Sequence, residues 1–223
     1  MQMLPHFQSM GIECFVEPLL SITLLKTVSL KNVQTIIVTS RHALKALNGP
    51  LDHVTAYCVG NGTALLAKDM GFLEIHTAQE SVEDLLEMLN EKNPEALGSM
   101  LYVAGETITK NIEQSLEPLG YAIKTEVVYK ATPQEQLSQS LLDHFAKGTI
   151  KQVGFFSNKT AEVFLQLAAH HQVLPSLQSM EALCLSQKIA RALNPEQWKN
   201  IVIAPTPSTD SFWQLVKNHV ECS

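Results

Sequence analysis

Apolar positions along the chain follow two rhythms that take turns. Short unbroken runs such as "TIIV" (35–38), "AYCV" (56–59), "MLYVA" (100–104), "ALCL" (182–185) and "IVIA" (201–204) have the length and composition of buried strands. Between them the apolar residues recur every three or four positions. Leu85, Leu86 and Leu89 form one such stripe, and Phe212, Trp213 and Val216 another, which predicts amphipathic helices. Strands alternating with helices at this spacing predict βα units, a parallel sheet and right-handed crossovers.

The rhythm also repeats on a longer scale. "IIVTSRHALKAL" (36–47) returns as "VGFFSNKTAEVFLQL" (153–167): a strand, a serine, then a helix. "AYCVGNGTALLAKDMG" (56–71) is answered by "EALCLSQKIARALNPEQW" (181–198), each a strand, a turn and a short helix. "EIHTAQESVEDLLEML" (74–89) is answered by "IVIAPTPSTDSFWQLV" (201–216), each a strand, a loop, a serine N-cap and a helix. Ser81 with Asp84 three residues on reads as a capping box. Matching steps in one order predict two homologous halves.

The first half gains one more strand with a glycine corner at Gly105, then a helix closed by Gly120, then the alternating stretch "YAIKTEVVYKATP" (121–133). Thr132-Pro133-Gln134-Glu135 reads as a helix start, with Thr132 as cap, Pro133 at the first helical position and Glu135 as partner. The N-terminal stretch reads as the end of a helix up to Met10, Gly11, a short strand and Pro18. The economical arrangement inserts one lobe in the other: residues 26–131 form a continuous α/β lobe, and 1–25 with 132–223 a discontinuous one. Two extended connections, near 20–26 and 127–131, then run side by side.

Composition narrows the function. The 223 residues carry a net charge of −6, with Lys and Arg scattered singly, which argues against a nucleic-acid partner. Apolar runs such as "GTALLA" fall far short of the ~20 residues of a membrane span, and residues 1–20 lack a signal-peptide pattern. A cytoplasmic protein without membrane attachment is expected. Cys14, Cys58, Cys184 and Cys222 form no CxxC pair, and the eight histidines show no HxxxH or HExxH spacing, so no metal site is expected.

Ligands of doubly wound sheets bind outside the carboxyl ends of the strands. In one lobe those ends carry Thr39-Ser40, Gly60 to Thr63, Thr77 to Ser81 and Gly105-Glu106. In the other they carry Ser157-Asn158, Ser186 to Lys188 and Thr206 to Ser208. These loops are small and hydroxylated, with no Cys–His pair, no Asp–His–Ser order and no paired carboxylates. They suit carboxylates or phosphates gripped by N–H groups and hydroxyls. Taken singly, Ser40, Ser81 and Ser157 read as N-caps, Gly60 and Gly105 as tight turns, and Trp198 and Trp213 as packing. Only the joint arrangement points to binding.

The ordered set "IIVTSRHALKAL", "VGNGTALLAKDMG", "LYVAGETITKNIEQSLEPLGYAIKTEVVYKATP", "VGFFSNKTAEVFLQL", "ALCLSQKIARAL" and "IVIAPTPS" resembles the uroporphyrinogen-III synthase family, from about Gly11 to Val220. The resemblance implies two flavodoxin-like parallel-sheet lobes, one inserted in the other, joined by a two-stranded connection with a cleft between. It implies a cofactor-free hydro-lyase of haem and tetrapyrrole synthesis. The substrate would be the linear tetrapyrrole hydroxymethylbilane, closed with ring D inverted through a spiro intermediate. Carried over by motif, Tyr129 assists departure of the hydroxyl. Ser40, Asn61, Thr63, Gly105, Ser157, Asn158, Ser186, Lys188 and Thr206 bind substrate, no cofactor or metal takes part, and the protein is a monomer.

Two departures from the pattern stand out. The family opens with a strand ending in Thr-Arg-Pro and a full helix, whereas this sequence starts inside that helix, so the discontinuous lobe is expected without its first strand. Ile189 replaces a threonine of the second-lobe turn. A non-catalytic binder of an anionic metabolite is the alternative reading. A flavin carrier is the third, and the absence of aromatics in the loops speaks against it.

Overall fold

Thr35, Ile36, Ile37 and Val38 are all buried, which only a strand covered on both faces allows. The structure, a computed structural model, describes residues 7, 11–78, 81–108 and 110–220. The chain divides into two compact units, Met1–Ser21 with Pro133–Ser223, and Ile22–Thr132.

The Ile22–Thr132 unit is built in chain order from β1 (Leu20–Leu24), β2 (Val28–Ser29), β3 (Thr35–Val38), α1 (Arg41–Leu44), β4 (Leu47–Asn48) and β5 (Thr55–Val59). There follow α2 (Asn61–Met70), β6 (Glu74–Ala78), α3 (Val82–Asn90), α4 (Pro94–Leu97), β7 (Ser99–Gly105), α5 (Ile112–Leu116) and β8 (Ala122–Pro133). The sheet runs β1-β8-β7-β3-β5-β6. Its β8-β7-β3-β5-β6 core is parallel throughout. The end bonds Leu25 N to Val128 O (2.8 Å) and Gln134 N to Leu19 O (3.0 Å) run in opposite chain order, so β1 lies antiparallel to β8. The division between the units falls within these two strands. β2 pairs separately with β4.

Strand alternation sends each residue of β3 to one of two cores. Ile36 and Val38 join Ala56, Cys58, Leu101 and Val103 beneath α1 and α2. Ile37 joins Tyr57, Met100, Tyr102 and Ala104 against Leu85 and Leu89 of α3 and Ile112 and Leu116 of α5. Each fully buried aliphatic side chain here contributes about 1.5–3 kcal/mol. The buried hydroxyl of Thr35 is satisfied by donating to Leu97 O at 2.7 Å.

The other unit contains α6 (Gln139–Lys147), β9 (Gln152–Phe155), α7 (Asn158–His170), β10 (Glu181–Cys184), α8 (Gln187–Ala190), β11 (Asn200–Ile203) and α9 (Thr209–Val220). Its parallel sheet runs β11-β10-β9. Among the described residues this repeats the β6-β5-β3 block, strand for strand. Ala182, Cys184 and Phe155 face Phe164 and Leu167 of α7, while Leu183 faces Phe212, Leu215 and Val216 of α9.

Several expectations need correction. Neither sheet shows the flavodoxin order. Taking β3, β5, β6, β7 and β8 as first to fifth, the order is third-second-first-fourth-fifth. The periodicity specifies βα units, but not the side of β3 on which β7 is laid. Helix α6 does not start at Thr132. The strand runs on through Pro133, where a missing N–H is tolerated at a strand end, and the cap is Ser138, whose hydroxyl accepts from Leu141 N at 3.2 Å. Glu17 accepts from both Ser138 N (2.7 Å) and Ser138 Oγ (2.8 Å), a second anchor that the local pattern could not show.

The helix after Ser40 has a single turn, against 13 residues after Ser157, because the chain returns at once into β4. The short strand expected after Gly11 is absent: residues 12–19 carry no strand pairing. The helix expected up to Met10 lies outside the described residues except for Phe7.

Capping at Ser138 rather than Thr132 has a direct consequence. Ser138→Ala should lower stability by about 1 kcal/mol. Thr132→Ala, at an exposed strand position, should stay within ~0.5 kcal/mol. Denaturant midpoints of the two variants, followed by circular dichroism, check this.

Candidate functional site

The strand order sets the place to look. After β3 the chain first builds outward through β5 and β6, then crosses to the opposite side of β3 for β7. The carboxyl ends of β3 and β7 therefore flank a topological switch point, where loops diverge and leave a crevice. Thr39 and Ser40 follow β3, and Gly105 ends β7.

Ser40 takes extended backbone (φ −149°, ψ 134°) and its hydroxyl accepts from His42 N at 3.3 Å. Beside it the hydroxyls of Thr39 and Tyr102 share a hydrogen bond at 3.3 Å. Burial pushes the Tyr102 phenol above its ordinary pKa, the Thr39 bond offsets part of that, and the neighbouring Tyr129 raises it again. Tyr102 is thus a neutral hydroxyl at physiological pH.

Tyr129 arrives at the same edge through a fault in the β7–β8 ladder. Ala104 pairs with Val127 but Gly105 pairs with Tyr129, leaving Val128 as an extra residue. Such a bulge re-aims side chains. Here Val128 and Tyr129 both pack on the core that holds Leu101, Val103, Ala43 and Leu44. The Tyr129 ring occupies the space a side chain at residue 105 would need: a Cβ there would lie 2.6 Å from Tyr129 Cζ and 2.8 Å from its hydroxyl oxygen. Glu106 N donates to Tyr129 O at 2.8 Å and pins the backbone.

His42, one residue into α1, lies against the same phenol, with ring centroids 5.8 Å apart and planes at 53°. Its Nδ1 is buried with no hydrogen-bond partner among the described residues, at a cost of about 1–3 kcal/mol. Desolvation lowers its pKa below 6.5, and Arg41 and Lys45 push the same way. The imidazole is neutral near pH 7. As pH falls below 6.5 the unfolded chain takes up this proton before the folded one does, so stability is lost as the solution is acidified through that range. The sequence reading passed over His42; its signal was a histidine two residues beyond a cap serine, inside the first turn.

The remaining expected residues fall at strand ends, with different freedom to bind. Asn61 and Thr63 are not in a loop: α2 starts at Asn61, with Gly60 as cap at φ 78°. Asn61 is exposed, whereas Thr63 is 7% exposed. Ser40 and Asn61, just after β3 and β5, and Gly105 and Tyr129, on β7 and β8, thus belong to neighbouring strands of one sheet.

In the other unit, the Ser157 hydroxyl accepts from Thr160 N (3.1 Å) and meets Thr160 Oγ1 at 2.8 Å, so it is committed to the cap. Asn158 Nδ2 donates to Glu162 (2.7 Å). Ser186 caps α8 without a side-chain bond, and Lys188 is exposed with no ion pair among the described residues, so both are available. Thr206 N donates to Ser211 Oγ (3.1 Å) and its hydroxyl meets Ser208 Oγ at 3.2 Å. These five positions follow β9, β10 and β11, again along one edge. A groove of about 650 Å³ opens on the flank of α8, lined in part by Gln187, Arg191, Trp198 and Lys199. Cys58 and Cys184 sit at matching places in β5 and β10, buried, their thiols pushed up to about 11. They are packing groups.

A family model described as Uroporphyrinogen-III synthase HemD matches residues 2–214. The chain belongs to the uroporphyrinogen-III synthase family. The fold of the uroporphyrinogen-III synthetase of Helicobacter pylori is similar, with a TM-score of 0.60 at 19% identity over 90% of this chain and 91% of that one. A mutant uroporphyrinogen III synthase of Thermus thermophilus aligns with a TM-score of 0.58 at 15% identity, over 100% of this chain and 95% of that one. No curated relative matches the sequence. Among the described residues no helix is long and apolar enough to cross a membrane.

The contact between Gly105 and the phenol yields a sharp expectation for this family member. Gly105→Ala must move the Tyr129 ring or the β7 end, costing about 1–3 kcal/mol as an overpacked site does. A crystal structure of the variant should show the phenol displaced, together with a lowered thermal midpoint.

Proposed function

We propose that this chain catalyses the ring closure of hydroxymethylbilane to uroporphyrinogen III, a uroporphyrinogen-III synthase reaction of tetrapyrrole and haem synthesis. The observation that carries the reading is the family match over residues 2–214. The switch-point edge of Thr39, Ser40, Gly105 and Tyr129 supports it with suitable chemistry. In this reading the substrate's terminal hydroxyl leaves as water, and a cationic azafulvene remains. The substituted carbon of ring D attacks it to give a spiro intermediate. Fragmentation and reclosure then release the macrocycle with ring D inverted, and no metal or organic cofactor takes part.

The physical task is to hold a flexible chain in one conformation until the right carbon attacks. Orientation of this kind lowers a barrier without any protein nucleophile. Tyr129 is the proposed proton donor to the departing hydroxyl: a phenol placed by a bulge, with a neutral imidazole beside it. Absence of a fixed positive charge on His42 suits a cationic intermediate.

The acetate and propionate groups of the substrate are proposed to bind at the strand ends of the α/β lobes. Ser40, Asn61 and Gly105 serve in one unit, and Ser186, Lys188 and Thr206 in the other. Ser157 and Asn158 contribute mainly through backbone N–H groups, because their side chains are engaged, whereas Thr63, buried and with its N–H donated to Gly60 O, only shapes the edge. The cytoplasm and a monomeric state complete the proposal.

Freshly prepared hydroxymethylbilane, which closes by itself to the uninverted isomer, supplies the test. The chain should convert most of it to the inverted isomer, read by chromatography of the oxidised porphyrins. A product identical to the spontaneous one means a binder instead of a catalyst. Tyr129→Phe should slow turnover by about a hundredfold, the lower end of what a positioned proton donor contributes, without abolishing it. An unchanged rate removes Tyr129 from the mechanism.

A further inference from the structure

The Tyr129 phenol has two neighbours that define its place. Gly105 leaves the space its ring fills, and His42 meets the ring at a centroid separation of 5.8 Å. The second neighbour is chemically surplus if it only packs, since a phenylalanine at residue 42 would fill the space without burying an unpaired nitrogen. His42 Nδ1 is buried and has no partner among the described residues. A centroid separation of 5.8 Å is short enough for a phenol oxygen and an imidazole nitrogen that point at each other to hydrogen-bond. Hydrogen bonds of this kind are commonly long in the unliganded protein and tighten with substrate.

We propose that His42 is the positioning residue of Tyr129: its Nδ1–H donates to the phenol oxygen during turnover, directing the phenol proton to the substrate and holding the phenolate that remains. The step balances without further reagents. The phenol O–H bond breaks as its proton passes to the departing hydroxyl, and the C–O bond of the substrate breaks to release water. The electron pair left on the phenol oxygen is held by the His42 N–H. The proton released on macrocycle closure returns to the phenolate. The imidazole stays neutral throughout, in keeping with its burial and with the two cations, Arg41 and Lys45, that oppose its protonation. The arrangement within α1 supports the orientation, because the Ser40 hydroxyl accepts from His42 N at 3.3 Å and fixes the backbone of that residue.

This inference rests on the proposed activity, so its test has one arm that activity does not touch. His42→Phe keeps a ring but removes the donor. His42→Asn restores an N–H donor on a side chain of similar reach. Steady-state assays should show kcat about tenfold lower in His42→Phe, with KM within twofold, and substantial recovery in His42→Asn. In the double variant with Tyr129→Phe the loss at residue 42 should vanish, since its partner hydroxyl is gone. Independently, isotope-labelled tyrosine followed by NMR should show the Tyr129 phenol titrating at higher pH in His42→Phe than in the unmodified chain or in His42→Asn. Full activity of His42→Phe, additive losses in the double variant, or an unmoved phenol titration would each overturn the proposal. If the unmodified chain produced only the uninverted isomer, the activity reading would fall and the phenol titration alone would decide the role of His42.

Discussion

The ring of Tyr129 lies where residue 105 would otherwise place a side chain. That contact exists because one extra residue, Val128, is accommodated in β8 opposite the Ala104–Gly105 step of β7. Without the bulge, Tyr129 would fall on the opposite face of the sheet, among Met100, Tyr102 and Ile123, away from α1. A single irregularity in a parallel ladder thus decides which helix the phenol meets and what its hydroxyl can do. The irregularity is held at both ends: Leu25 N donates to Val128 O, and Glu106 N to Tyr129 O.

The strand-end hydroxyls divide into two kinds. Those of Ser40, Ser81, Ser138 and Ser157 satisfy helix N–H groups, and their first duty is to the fold. Ser186 and Lys188 make no side-chain bond among the described residues and remain available. The same short sequence device, a strand followed by a hydroxyl residue, therefore builds corners everywhere and binding groups only at some of them. Thr63 illustrates the difference: it matches the pattern, yet it is drawn into the first turn of α2 and buried.

Much of this was legible in the sequence because it is local. The buried runs of β3, β5, β7 and β10, the apolar run of β11, the capping box of Ser81 with Asp84, and the left-handed terminators Gly71 and Gly120 are short-range features with their own signals. What escaped was set by partners far along the chain. Thr132 and Pro133 look like a helix start but are held in β8 by pairing with β1, while Glu17, 121 residues before Ser138, fixes the true one. The order of β8-β7-β3 depends on which side of β3 accepts the next strand, a choice no periodicity encodes. The bulge, and with it the meeting of His42 and Tyr129, follows from that choice.

The central claim is that the carboxyl ends of β3 and β7, with Tyr129 beside them, receive the pyrrole polyacid. Backbone amide resonances recorded while uroporphyrinogen III is added under reducing conditions test it most directly. The account predicts that Thr39, Ser40, Gly105 and Glu106 shift strongly and saturably, while amides at the opposite end of the same strands, such as Thr35 and Ser99, stay in place. Shifts confined to the amino ends of the strands, or to helix faces remote from the switch point, would contradict it.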